Sequence, residues 1–241
     1  MYAGSKRGII SPFERYSLYL SYNLKAWEAL TAAMKLYSYR RGEIIRPGGD
    51  TTARITIVKS GLTQVGTVLQ EGRGIVTHIM GAGAIWGMPS TYSEELTQPT
   101  RTSLSALTDC EVYHIPRHIM LQWIEQNPRH YEDIIHHECK KSLVFVQHIE
   151  LLSVPTVRCR IATFLLSLSS SIGEDYDDGI SIPVRLTHQQ IADIVHSDRV
   201  TVARILSELV KEGWISKDRG CFVLKQVSQL CNLALGLLSD K

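Results

Sequence analysis

Two stretches with opposite backbone demands constrain this chain more than any other feature. Ten of its 17 glycines fall between positions 42 and 87, whereas residues 130–154 contain neither glycine nor proline. Glycine serves tight turns because it accepts positive φ at little steric cost, and both residue types interrupt helices. The first stretch therefore reads as short strands punctuated by turns, and the second as one long helix. The β-rich runs are 43–45, 54–59, 63–69, 75–80, 101–105 and 110–115. Turn residues about every 8–12 positions around such runs predict a β-roll or jelly roll. Residues 12–37, ahead of it, are aromatic-rich and read as mostly helical.

A short helix is expected over 117–126, ending at Asn127-Pro128. The segment 130–154 then sets Ile135, Cys139, Val146, Ile149 and Leu152 on one stripe at three- and four-residue steps, with Ser142 as a polar gap. A helix of about 25 residues is ~37 Å long. On a small domain such a helix usually packs against a second copy of itself, which predicts a homodimer through helix 130–154. Pro155 breaks it and marks a hinge. Residues 157–169 are again helical in pattern, 169–178 (SSSIGEDYDD) read as a polar, acidic surface loop, 183–227 as a compact unit, and 228–238 as an amphipathic tail. The expected fold class is α+β in three parts. These are a β-roll domain with an N-terminal helical segment (1–128), a dimerisation helix and hinge (129–155), and a winged helix-turn-helix with a tail helix (156–241).

Composition narrows the function. With 241 residues, 44% of them hydrophobic and 21% charged, the chain buries a proper core and is not disordered throughout. The balance of 26 Lys+Arg against 24 Asp+Glu gives a net charge of +2. That excludes an acidic solvating protein and a polycationic coat, but not DNA binding, which needs only a local basic face. The five cysteines (110, 139, 159, 221, 231) are odd in number and scattered, so they form neither a disulfide framework nor a zinc ribbon. No basic-then-apolar leader is present, and no run approaches the ~20 apolar residues of a membrane span. A cytoplasmic protein with no membrane partner is expected.

The most informative stretch is 186–215, LTHQQIADIVHSDRVTVARILSELVKEGWI. Thr187 is a good N-cap with Gln190 three residues on, a capping-box pattern. Ile191, Ala192 and Val195 form the buried side of a short first helix, and His196-Ser197-Asp198 makes a turn in which Ser197 or Asp198 caps the next helix. That helix, 199–212, buries Val202, Ile205, Leu206 and Leu209 and leaves Arg199, Val200 and Arg204 facing outward. Residues 214–215 and 221–224 form the strands of a wing whose tip is 217–220. In helix-turn-helix geometry the second helix enters the major groove. There an Arg pairs with guanine N7 and O6, and a Val offers its methyls to thymine. Between Arg185 and Lys225 seven basic residues face five acidic ones, so Asp198 and Glu208 have to point away from phosphate and affinity depends on two subunits docking together.

With these motifs the chain resembles the cyclic-AMP receptor/FNR superfamily of bacterial transcription regulators, from about position 40 to 227. The order of parts agrees, and LTHQQIA…SDRVTVARIL is the most specific segment. Its Arg-Val-Thr-Val-x-Arg core is similar to that of the cyanobacterial nitrogen-control (NtcA-type) regulators. The resemblance implies that Arg199, Val200 and Arg204 read bases in a two-fold symmetric site with a GTA-like half. It also implies that Thr187, Gln189, Gln190 and Thr201, with Ser197 in the turn, hold phosphates, and that RNA polymerase is a partner. Relatives usually carry glycine where this chain has His196, a position where histidine costs a small strain.

The resemblance also places an effector site at Trp86, Gly87 and Met88, with Arg101, Thr102 and Lys141. Cyclic-nucleotide binders carry a glutamate at the position of Met88, which accepts from the ribose, so cyclic AMP is disfavoured. In the nitrogen-control regulators the same arginine and a basic residue of the dimer helix hold 2-oxoglutarate. Arg101 and Lys141 suit such a dianion, but the carboxylate that accompanies the basic residue falls on Val146. An anionic effector such as 2-oxoglutarate, a constitutive dimer with no effector, and a nucleotide all remain open. No cofactor is assigned. A β-roll metalloenzyme is the reading from another class; only His78 and His114 lie in the β-rich region, with Glu43, Glu71 and Glu111 scattered, so no enzyme is expected.

Overall fold

The structure is a computed structural model and describes residues 17–50, 52–68, 74–88 and 102–237. It divides within one helix into two compact units, one spanning Tyr19–Phe145 and the other running from Val146 together with the segment that ends at Leu18.

The first unit is a two-sheet roll. Strands β1 (Tyr19–Leu20), β3 (Ile44–Arg46), β5 (Thr63–Val68), β6 (Gly74–Met80) and β8 (Thr102–Ala106) make one sheet in the order β1-β6-β5-β8-β3. Strands β2 (Leu36–Tyr39), β4 (Arg54–Ser60), β7 (Ile85–Trp86) and β9 (Cys110–Pro116) make the other, ordered β2-β9-β4-β7. The inner strands β4 and β9 of the second sheet bury side chains on both faces, successive residues pointing to opposite sides. Val58, Cys110 and Val112 point into a core shared with Leu20, Ile45, Val65, Met80, Leu104 and Ala106. Ile55, Ile57 and Ile115 point the other way, onto Trp27, Leu30, Met120 and Ile124. These last residues come from a 3₁₀ turn (Leu24–Trp27), from α1 (Glu28–Thr31) and from α2 (Arg117–Gln126).

The N-terminal segment departs from the helical expectation. Among its described residues only Leu24–Trp27 and Glu28–Thr31 are helical, while Tyr19–Leu20 and Leu36–Tyr39 are strands. The latter pairs antiparallel with β9. Aromatic and β-branched side chains fit a pleated, half-buried surface, and here they edge the roll.

The long helix α3 runs His130–Ser153. Ile134, His137, Val144, His148 and Leu151 are buried along it at three-, four- and seven-residue steps. Ile135, Val146 and Ile149 lie on another face and are 61%, 51% and 66% exposed. Leu143, Phe145 and Leu152 are exposed too, as is Cys139.

In the second unit α4 (Val157–Ile172) is almost wholly buried and is capped by Thr156, whose side chain accepts from the Cys159 amide. The acidic stretch predicted as a loop is instead structured. Ser169, Ser170 and Ser171 return their hydroxyls to carbonyls of Leu166 and Ser167 and extend the helix. Then β10 (Glu174–Tyr176) turns through Asp177-Asp178 into β11 (Gly179–Ile182). These join β12 (Ile215–Asp218) and β13 (Cys221–Leu224) in a sheet ordered β10-β11-β13-β12. The tail helix α7 (Val227–Ala234) packs on α4 through Leu230, Leu233 and Ala234. Ser17 and Leu18 donate their amides to Gln147 Oε1 (2.7 Å) and Ser167 Oγ (3.2 Å).

Candidate nucleic-acid interface

Helix α5 (His188–Val195) starts on a complete capping box. Thr187 Oγ1 accepts from the Gln190 amide at 3.1 Å, and Gln190 Oε1 accepts from the Thr187 amide at 2.8 Å. The helix ends at His196 in the left-handed region, φ 53° and ψ 61°. The Ser197 amide then donates to Ala192 O at 2.9 Å, which closes the turn. Asp198 caps α6 (Arg199–Lys211): its carboxylate accepts from the Thr201 amide (2.8 Å) and hydroxyl (2.6 Å). Those two bonds hold the Asp198 carboxyl below its usual range.

Val202, Ile205, Leu206 and Leu209 bury one face of α6. Arg199, Val200 and Arg204 occupy the exposed face, and Val200 is 78% exposed. Arg204 Nη1 donates to Glu208 at 2.6 Å, and Glu208 also accepts from Arg158 Nη1 at 3.2 Å. Arg158 reaches Glu212 at 2.6 Å and lies over the Trp214 ring, so one α4 arginine clamps the far end of α6. Of the polar residues at the helix starts, Thr187, Gln190 and Thr201 make the cap bonds, and Gln189 Nε2 donates to Asp193 at 2.7 Å. The wing turns through Arg219 and Gly220, with φ of 46° and 84°. Lys217 on β12 donates to His188 Nε2 at 3.3 Å.

Two contacts here are absent from the sequence reading. Arg158 and its two glutamates meet across about fifty positions, and His188 meets Lys217 across 29. Arg160 is a third such residue, donating to Val195 O at 2.9 Å and Val154 O at 3.0 Å. It ties the end of α5 to the segment after α3.

The described residues assigned to an effector lie on the roll and on α3. Arg101 lies outside the described residues. Trp86 packs against the first core under the Arg46 guanidinium, 4.8 Å away. Arg46 itself is buried, donating to the carbonyls of Arg54 (2.7 Å) and Thr52 (2.9 Å) and pairing with Asp50. Gly87 has φ 102°. Met88 is 2% exposed among Ile55, Ile57, Ile85 and Ile124, so it is a core side chain. Thr102 pairs with Thr67 on the roll. Lys141 is ion-paired to Glu138. Among the described residues no hydrogen bond or ion pair joins Trp86, Met88, Thr102 and Lys141 to one another.

Glu138 belongs to a chain of bonds invisible in the sequence. The Ile85 amide donates to Nε2 of buried His137 at 2.9 Å, and His137 Nδ1 lies 3.1 Å from Glu138 Oε1. Burial holds the imidazole below its ordinary range despite the glutamate. Burial alone would raise the Glu138 carboxyl, but His137 and Lys141 bring it below the usual value. The other histidines of the roll are engaged as well. His114 bonds Tyr39 and Thr56, and His78 packs edge-on against Phe145. Among the described residues no three His, Cys, Asp or Glu side chains converge as a metal site, and no helix is long and apolar enough to cross a membrane.

Comparisons with known proteins agree with this architecture. A Crp-like helix-turn-helix domain matches residues 159–233, and a cyclic nucleotide-binding domain matches residues 36–127. The "Global nitrogen regulator" of Synechococcus elongatus is 25% identical over 176 residues, covering 73% of this chain and 79% of that protein. The "CRP-like cAMP-activated global transcriptional regulator" of Mycobacterium tuberculosis is 23% identical over 206 residues, covering 86% and 91%. In fold, the chain is similar to a CooA mutant from Carboxydothermus hydrogenoformans, with a TM-score of 0.70 at 19% identity over 86% of this chain and 90% of that one. Such relatives are transcription regulators rather than enzymes. With both domains matched in the order the structure shows, the chain belongs to the CRP/FNR family of DNA-binding transcription regulators.

Proposed function

We propose that this chain acts in the cytoplasm as a homodimer whose two copies of α6 read a two-fold symmetric DNA site. Arg199, Val200 and Arg204 make the base contacts. The observation that carries this reading is the exposed N-terminal turn of α6, where a mostly uncovered valine sits beside Arg199, an exposed arginine with no ion-pair partner among the described residues. An apolar side chain left in water at the tip of a capped helix gains most from a thymine methyl, and the adjacent guanidinium from guanine. Thr187, Gln189, Gln190, Ser197 and Thr201 stand at the helix starts, where phosphates are held. The exposed apolar stripe of α3 supplies the dimer contact, and RNA polymerase is the partner the family membership implies.

For the effector, two observations favour DNA binding that does not wait for one. Met88 is buried in the core, so it offers no acceptor to a ribose, which costs about 1–3 kcal/mol if a buried hydroxyl goes unpaired. Glu138 already neutralises Lys141, the cation a 2-oxoglutarate-like anion would need. An anionic effector remains the second reading, and it would have to displace Glu138. Fluorescence anisotropy with a GTA…TAC duplex and a scrambled control, without effector and with cyclic AMP or 2-oxoglutarate, tests both. Equal, sequence-selective binding in all three conditions is expected. Selective binding that appears only with 2-oxoglutarate would establish the second reading, and no selectivity in any condition would refute the site.

A further inference from the structure

Two basic side chains from two elements meet beside the recognition helix: His188 opens α5 and Lys217 lies on wing strand β12, while Arg199, which opens α6, is near enough for its charge to act on His188. Lys217 Nζ is 3.3 Å from His188 Nε2. An ammonium only donates, so this ring nitrogen accepts and the imidazole is neutral with its proton on Nδ1.

The carboxylates of the surrounding elements are turned elsewhere. On α5, Asp193 accepts from Gln189. On α6, Asp198 accepts from Thr201, while Glu208 and Glu212 hold Arg158. On the wing, Asp218 accepts from the Tyr176 hydroxyl at 2.9 Å. Among the described residues none of these acids serves the cluster. Burial, and then the charges of Lys217 and Arg199, hold His188 below its ordinary range. A cationic surface site with no counter-ion among the described residues, next to the helix assigned to DNA reading, suits an anion from the duplex.

We propose that His188 and Lys217 grip one DNA backbone phosphate beside Arg199, and that His188 takes up a proton as that phosphate arrives. The proposal rests on the reading of α6 as the recognition helix. Its sign follows from linkage. In the free protein two cations disfavour the imidazolium, whereas in the complex the phosphate favours it. The complex therefore binds more protons than the free protein, so affinity falls as pH rises between the two His188 values and is flat outside them. Each unit by which the phosphate raises His188 corresponds to about tenfold in affinity per subunit.

The test uses the full chain at one fixed salt concentration, titrated with the symmetric and the scrambled duplex from about pH 5.5 to 8, the range in which histidine changes charge. Wild type should bind both duplexes more tightly at low pH, because a phosphate grip is blind to sequence. Calorimetry in two buffers of different ionisation enthalpy should show net proton uptake. His188→Gln should remove the pH-dependent component, and His188→Arg should bind tightly with the same flatness. Lys217→Gln should lower the slope of log affinity against log salt by about 0.9 per subunit. Equal pH slopes for wild type and His188→Gln would overturn the proposal. So would a His188 ring resonance that responds to inorganic phosphate as strongly as to duplex. Loss of selectivity between the duplexes with the pH slope retained would instead strike the recognition reading and leave the phosphate grip standing.

Discussion

His196 holds the turn between α5 and α6 in a backbone region that glycine enters at least cost. A non-glycine residue there carries strain of about 1 kcal/mol. His196→Gly should therefore raise the unfolding free energy by about that amount without altering the helices, as read by chemical denaturation; a destabilised variant would mean that the His196 side chain supports the turn. A second residue-scale prediction concerns His114 and His137. Burial pushes His114 down to about 4 and lowers His137 in the same direction. The folded protein therefore binds fewer protons than the unfolded chain below the ordinary value of 6.5. Their stability contribution is full above that pH and falls as pH drops toward 4. Replacing His137 by Gln keeps an acceptor for the Ile85 amide and should flatten part of this loss in melting temperature; an unchanged profile would remove His137 from the account. At this scale, legibility followed sequence distance. The Thr187–Gln190 box, the αL residue and the Asp198 cap are three- and four-residue signals, and the sequence displays them. His188 with Lys217, and His137 with the Ile85 amide, are brought together only by the wing and by the roll packing on α3, so no spacing announces them.

Among the elements, α3 shows why a periodic apolar stripe is informative and incomplete. Its sequence carries two apolar faces. The stripe picked out by Ile135, Cys139, Val146 and Ile149 is the exposed one, whereas Ile134, Val144 and Leu151 are buried within the chain. Two histidines on that buried face, His137 and His148, hide it from a hydrophobicity pattern. Val146→Asp with Ile149→Asp should give a folded monomer by sedimentation velocity and weaken DNA binding more than tenfold, because avidity from the second half-site is lost. A double variant that stays dimeric would move the interface elsewhere. The two misjudged segments have local causes. Three serines in a row looked like loop, but each returned its hydroxyl to a helix carbonyl. The aromatic N-terminal segment matched a helical pattern, but its strands are set by partners on β6 and β9, far along the chain.

For the whole molecule, the order of roll, long helix and winged helix-turn-helix was readable because each part has its own texture in glycine, proline and apolar period. The effector question was not, since it depends on which side chains the roll interior absorbs. Met88 and Arg46 went into the core or over it, and Lys141 acquired Glu138. Base reading is assigned to the first turn of α6. It is tested most directly by the affinity of Arg199→Ala for the symmetric and the scrambled duplex, measured beside wild type at one salt concentration. A loss of about 1–3 kcal/mol on the symmetric duplex is expected, with a smaller loss on the scrambled one and therefore relaxed selectivity. Wild-type affinity for the symmetric duplex in the Arg199→Ala protein would contradict it.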